Sequence, residues 1–136
     1  MTGHPKKQPR RVRSPRHVPK ALLDALDERD GHVSSWTGRE YVRGSDSDVL
    51  VPQHRQGGMG GRPDKHRIEN LVWLESAING LITSDANFQT EAMRRGIAIS
   101  LHADARHVPV LHAAHGGEVW LTADGRAAPT DQEVPF

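Results

Sequence analysis

Two short apolar runs on either side of a glycine-rich loop constrain the fold of this chain most. Residues 49–51 form a compact run that is typical of a strand, and residues 71–74 indicate a second buried strand or the approach to a helix. Between them, residues 57–61 place four glycines around one methionine, a composition that excludes regular structure. Apolar residues then continue at helical spacing to Ile82. The central segment is therefore expected to form two strands joined by a loop and followed by a helix.

Shorter elements are predicted before this central segment. A helix over residues 19–29 has leucines on one face, a proline suited to its first turn, and Gly31 to end it. The polar stretch 34–47 is expected to form loops, with Trp36 and Tyr41 as packing anchors.

After the central segment, a further helix is expected to begin at Ser84 or Asp85 and to end at Gly96. Alternating apolar residues predict a strand over 97–101, and two apolar runs around adjacent glycines predict a hairpin over 108–122. The whole chain is therefore expected to belong to the α+β class, with short flanking helices and a C-terminal β-hairpin.

The charge of the chain is unevenly distributed. Residues 1–20 contain seven basic residues and no acidic one, whereas residues 21–136 carry a net charge of −6. Prolines keep the first segment extended, so we predict a disordered basic arm over 1–20 and one folded domain over 21–136. Clustered Lys and Arg side chains are typical of nucleic-acid binding, but a solvated tail accounts for them equally well.

The composition also excludes several kinds of protein and site. No stretch approaches the roughly 18 consecutive apolar residues of a membrane-spanning helix, and no apolar run follows the basic segment as in a signal peptide. We therefore expect no membrane partner and a cytoplasmic location. The chain contains no cysteine, which excludes disulfides and cysteine-based zinc sites. Any metal must then be held by histidine, carboxylate, amide or backbone groups.

Most of the nine histidines have no chemical context in the sequence. These are interpreted as surface residues or as satisfied core residues: His4, His17, His32, His102, His107, His112 and His115. The last two are three positions apart, but on a predicted strand or turn this spacing is not expected to converge on one ion. No metal site is therefore predicted there.

His54 differs from these histidines because it directly follows the first predicted strand and precedes the glycine loop. Asn70 stands just before the second apolar run, and Asn79 follows nine residues later on the predicted helix. Together with the loop over 57–61, this order resembles the HNH endonuclease family. It is particularly similar to the small HNH proteins of bacteriophages that infect actinobacteria. The resemblance covers roughly residues 34–125, with its motif core at 48–84.

The resemblance implies a ββα-metal core, the His-Me finger, in which a β-hairpin bearing the base packs on a helix bearing a metal ligand. His54 would be the general base that deprotonates the attacking water, a task that suits an imidazole near neutral pH. Asn70 would hold the loop so that His54 points correctly. Gln53 and Asn79 stand where the family usually has a metal-binding carboxylate or histidine. Their neutral amide oxygens favour Mg²⁺ or Mn²⁺ over Zn²⁺.

Basic residues surround this motif in the sequence. They are predicted to contact DNA phosphates and to add positive charge near the reacting group, although a solvated polar loop is the alternative. The predicted DNA-binding residues are Arg55, Arg62, Lys65 and Arg67.

The function that follows from the resemblance is a metal-dependent DNA endonuclease that hydrolyses phosphodiester bonds. The phage relationship implies genome processing or packaging, beside a terminase or other packaging proteins. Two alternatives stay open. Gln53 and Asn79 favour a DNA-binding protein that keeps the HNH fold without catalysis, and the basic arm is also compatible with a structural or interaction protein of the virion.

Overall fold

In a computed structural model of the protein, residues 18–44, 49–57 and 63–131 are described. These residues form three α-helices and two small antiparallel sheets, a mixture that the α+β class requires. Most of the predicted basic arm and most of the glycine loop lie outside the described residues. No helix within the described ranges is both long and apolar enough to cross a membrane.

The first helix, α1 (Lys20–Asp30), matches its prediction closely. Gly31 follows it with a φ of 70°, and its N–H donates to the Asp27 carbonyl at 2.7 Å. A positive φ is unfavourable for residues with a Cβ atom, which explains why glycine ends this helix. Leu26 is fully buried and attaches the apolar face of α1 to the core.

The two predicted central strands are β1 (Leu50–His54) and β2 (Leu71–Glu75). They pair antiparallel along their whole length, so His54 lies opposite Leu71 at the end of the pair. Pro52 lies inside β1. Hydrogen-bonded and non-bonded pairs alternate along an antiparallel pair of strands. The bonded pairs at the two ends involve Val49 and Arg55, so the bonded positions on this strand are odd-numbered. Pro52 is therefore at a non-bonded position, where its missing N–H costs β2 no hydrogen bond.

Two short helices follow β2. The first, α2 (Ser76–Ser84), begins directly after the strand, which completes a strand–strand–helix order. The second, α3 (Ala86–Arg94), has Asp85 as its N-cap, with the carboxylate accepting from the backbone N–H groups of Asn87 and Phe88. This confirms the predicted cap and satisfies two N–H groups at the start of the helix.

Residues 97–101 do not form the predicted strand. The backbone N–H groups of Ile97 and Ala98 instead donate to the Ala92 carbonyl and close the end of α3. Ile99 forms only an isolated bridge. Ile97 is fully buried without a strand, whereas Leu101 is 41% exposed, so the alternating apolar pattern marked neither a strand nor one shared buried face.

The C-terminal sheet has three antiparallel strands in the order β3 (Val110–His112), β4 (Gly117–Leu121) and β5 (Ala127–Pro129). The predicted hairpin is confirmed as β3 and β4, and β5 adds a third strand to it. The connection between β3 and β4 is a 3₁₀ turn, Ala113–His115, which later positions two histidine side chains.

The core consists of two apolar clusters on opposite sides of β2. Val72 and Leu74 point into a cluster with α2, α3 and the C-terminal sheet. Leu71 and Trp73 point into a cluster with α1 and β1. Every residue of β2 is buried, so both faces of this strand are covered. This explains why its sequence is a continuous apolar run without the alternation of a half-exposed strand.

Candidate functional site

His54 lies half-buried at the end of β1, where the chain leaves the sheet. Its Nε2 is 3.1 Å from Nδ1 of His66, which belongs to the 3₁₀ turn Pro63–His66. Burial, together with the positive charges available at His66 and Lys65, lowers the pKa of His54 to about 4. The imidazole is therefore neutral at physiological pH and can accept a proton. The pairing with His66 was not predicted from the sequence.

Asn70 closes the loop that separates the two strands. Its Oδ1 accepts from the backbone N–H of Gln56 at 2.9 Å, and its Nδ2 donates to the Lys65 carbonyl at 3.0 Å. The side chain is buried, and the backbone carbonyl of Asn70 also accepts from Arg55 N at 2.8 Å. The amide thus joins both ends of the loop that carries His66, which is the loop-holding geometry that the HNH resemblance implies.

The two predicted metal residues lie on neighbouring elements. Gln53 is half-buried on β1, and its Nε2 donates to the His54 carbonyl at 3.0 Å. Asn79 is half-buried on α2, which packs against β1 and β2. Their ligation of a metal stays a prediction.

Arg55 has a structural role in place of the phosphate contact that the sequence suggested. Its side chain is 1% exposed, and the guanidinium donates to four backbone carbonyls at 2.7–2.9 Å. These carbonyls belong to Glu69, Gly96, Ala105 and Val108. Burial lowers the pKa of Arg55 to about 9, so the group stays cationic at neutral pH. A guanidinium enclosed in this way is not available to a phosphate, and the prediction for Arg55 is wrong.

The other predicted DNA-binding residues have different positions. Lys65 is half-buried next to His54, and Arg67 is exposed. Arg62 lies outside the described residues. Phosphate binding by these three residues remains a prediction.

A second polar cluster joins α1 to the C-terminal sheet. Asp30 is buried, and its carboxylate receives two hydrogen bonds from Arg29, at 2.7 and 2.8 Å. The Nε2 atoms of His115 and His112 lie 2.7 and 3.2 Å from the two carboxylate oxygens. Asp30, His112 and His115 offer one ligand atom each, all within 4.8 Å of one another, so this group could hold a metal ion.

The prediction that the side chains of His112 and His115 do not converge is therefore wrong, because both approach the Asp30 carboxylate. The 3₁₀ turn Ala113–His115 follows directly on β3, and side chains three positions apart lie on the same side of such a helix. The spacing in the sequence was the only available signal, because Asp30 is more than eighty residues away along the chain.

The protonation states in this cluster follow from burial and close contact. Burial alone would raise the pKa of Asp30, but the hydrogen bonds from Arg29 and His115 and the close approach of His112 lower it well below its usual range. Burial lowers the pKa of His112, against the opposite effect of Asp30. At neutral pH the cluster therefore has an ionised carboxylate and a neutral His112, which are the forms that bind metal ions.

Comparisons of the chain with protein-family models, with curated proteins and with solved structures find no match. The HNH resemblance therefore depends on the motif residues themselves, and the function drawn from it is a proposal.

Proposed function

We propose that this protein is a metal-dependent DNA endonuclease in which His54 is the general base. The observation that carries the proposal is the strand–strand–helix order of β1, β2 and α2, with a neutral imidazole at the end of β1. Asn70 holds the adjoining loop at both ends. The same order of elements and residues is what the HNH resemblance implies.

His54 would take the proton from a water molecule that attacks the phosphorus atom. At pH 7 the imidazole is neutral and can accept a proton, and its lowered pKa makes it a weaker base than a free imidazole. In the 3.1 Å contact between His54 and His66, one ring nitrogen must donate and the other must accept. His66 would thus act as a positioning residue that sets the orientation and tautomer of His54.

The residues that would hold a divalent ion are Gln53 and Asn79. Their amide oxygens suit a hard ion such as Mg²⁺ or Mn²⁺, and phosphate oxygens and water would fill the other positions. The donor set fits such an ion only weakly, because neither residue is charged. When bound, the ion would polarise the scissile phosphate and stabilise the leaving oxygen. Metal affinity should therefore rise when DNA is present.

Lys65 and Arg67, together with Arg62, would contribute contacts to the DNA backbone. A protein with this activity would fit phage genome processing or packaging, with a terminase or another packaging protein as its partner. These partners come from the family resemblance.

The test is cleavage of supercoiled plasmid DNA with Mg²⁺ or Mn²⁺. A positioned general base contributes about 10²–10⁴-fold to a rate, so His54→Ala should slow nicking by at least about 100-fold. His102→Ala is the matched control, because His102 is exposed and lies outside both clusters. Circular dichroism should show that both variants are folded. Equal nicking by wild type and His54→Ala would refute the role of His54.

Two other results would replace the proposal with one of the alternatives. Retention of DNA without nicking in either metal would indicate a DNA-binding protein that lacks catalysis. The absence of both nicking and DNA retention would favour a structural or interaction protein.

A further inference from the structure

A buried four-residue network connects α1 to the turn after β3. Asp30 is its centre, with Arg29 on one side of the carboxylate and His112 and His115 on the other. The side chains of Arg29, Asp30 and His112 are at most 1% exposed, whereas that of His115 is 23% exposed. Two buried groups, Arg29 and His112, and one accessible imidazole thus share a single carboxylate.

One nitrogen in this network is not satisfied by the protein. Nε2 of His112 is fully buried and makes no hydrogen bond to any described residue. It lies 3.2 Å from Asp30 Oδ2, but the direction of the ring does not allow a hydrogen bond. Buried polar atoms are nearly always paired, so an unpaired nitrogen this close to a carboxylate and a second imidazole points to a ligand.

We propose that Asp30, His112 and His115 form a binding site for a divalent transition-metal ion of the class that prefers imidazole, represented by Zn²⁺. Two histidines and one carboxylate are a donor set that zinc accepts, and they differ from the oxygen ligands that Mg²⁺ requires. This site is separate from the one proposed around His54, and it would bind a different class of ion.

The ligand atoms are close enough for one ion to bind after the side chains adjust. Ligand atoms at zinc bond lengths in a tetrahedral site are about 3.3 Å apart, close to the 3.2 Å between His112 Nε2 and Asp30 Oδ2. The 2.7 Å contact of His115 is a hydrogen bond to the other oxygen, Oδ1, and the two atoms must separate by about 0.6 Å to reach this ligand spacing. His115 has the freedom to move, because its side chain is partly exposed.

Two features of the network modulate the binding of a metal. Arg29 donates to both oxygens of Asp30 and would orient this ligand from the outer shell, although its positive charge should reduce affinity. His112 Nδ1 accepts a 3.2 Å hydrogen bond from Ala114 N, which implies a proton on Nε2. Metal binding at Nε2 would move this proton to Nδ1 and break that bond, a small loss beside the metal–nitrogen bond that forms.

The site has an open side. His115 and Arg29 line a cleft of about 480 Å³, together with Glu28, Asp124 and Arg126. A water molecule could complete the coordination from this cleft, as it does in sites with three protein ligands. Because Asp30 ends α1 and the histidines flank the turn after β3, the ion would also join two distant parts of the chain.

The test uses the full-length protein after treatment with a chelator. Calorimetry measures its binding of Zn²⁺, and thermal unfolding is compared with and without the ion. We expect one saturable site, a higher Tm with Zn²⁺ and no comparable change with Mg²⁺. His115→Ala should lower the Zn²⁺ affinity by at least about tenfold, since changes to outer-shell residues alone cost that much. This variant leaves the Arg29–Asp30 pair in place, so the fold should survive.

Controls separate this site from surface histidines and from the site around His54. His102→Ala and His54→Ala should both bind Zn²⁺ as tightly as wild type. Co²⁺ bound to the wild type should give a visible absorption spectrum that His115→Ala loses. Absence of saturable Zn²⁺ binding, or equal binding by His115→Ala and wild type, would overturn the proposal. The network would then be a hydrogen-bonded ion pair with two histidine donors.

Discussion

The burial of Arg55 leads to a sharp prediction about stability. Arg55→Lys keeps the positive charge at this position but replaces a planar group that donates in four directions. Its four carbonyl acceptors come from separate parts of the chain: Glu69, Gly96, Ala105 and Val108. An ammonium group has three donors on one nitrogen and cannot reach acceptors that lie around a guanidinium fork.

The size of the effect follows from the acceptors that lose a partner. At least one carbonyl must lose its donor, and the shorter lysine side chain should strand a second. A buried polar group without a partner costs about 1–3 kcal/mol, so we expect Arg55→Lys to lower the free energy of unfolding by about 2–4 kcal/mol. This is a large share of the 5–15 kcal/mol that is typical of a folded domain.

Urea denaturation measures this loss, with Arg67→Lys as the matched control on an exposed arginine. The control should stay within about 0.5 kcal/mol of wild type, as surface substitutions usually do. If Arg55→Lys were equally stable and only bound DNA less well, the structural role would be refuted. The result would then support the phosphate contact that the sequence predicted for Arg55.

Three further predictions concern the loop, the end of α3 and His54. Asn70→Ala removes the amide hydrogen bonds to Gln56 and Lys65 and should destabilise the protein by about 2 kcal/mol or more. Chemical denaturation would measure this loss, and hydrogen exchange should show faster exchange of the Gln56 N–H. Gly96→Ala places a Cβ onto the Pro109 carbonyl at a φ of 71°, whereas Gly116→Ala has a similar φ and open space. Both variants pay a similar cost for a Cβ atom at positive φ, and only Gly96→Ala also crowds a neighbouring carbonyl. Thermal unfolding should therefore show Gly96→Ala to be less stable than Gly116→Ala by about 1–3 kcal/mol. The folded-state pKa of His54, about 4, is below the unfolded value of 6.5. The unfolded chain therefore takes up the proton first, so stability should fall as pH decreases from about 6.5 to 4. A His54→Gln variant should lack this part of the pH dependence, and an unchanged slope would show that His54 is not buried as described.

Local sequence patterns correctly predicted helix ends that are set by neighbouring residues. α1 ends at Gly31 because a positive φ favours glycine, and α3 begins after Asp85 because the carboxylate caps its first N–H groups. Both conclusions need only neighbouring residues. The strand predicted over 97–101 was wrong, because the N–H groups of Ile97 and Ala98 bond to the end of α3 instead.

The candidate site shows the same division. The HNH resemblance implied that Asn70 holds the loop, and its amide hydrogen-bonds to Gln56 N and to the Lys65 carbonyl. The contact between His54 and His66 depends on the path of the intervening loop, which spacing alone does not specify. The sequence could therefore propose a base but not its partner.

The sequence by itself determined the class of fold, the central strand–loop–strand–helix order and the position of His54 beside its loop. These features depend on hydrophobic periodicity and backbone preference, which act over a few residues. Only the tertiary structure decided which charged groups are buried. Arg55 became a structural cation because four carbonyls from distant segments surround it, and Asp30 met His112 and His115 because α1 packs beside the turn after β3. Burial and charge pairing depend on contacts between segments that are far apart in the chain, and no local pattern records them.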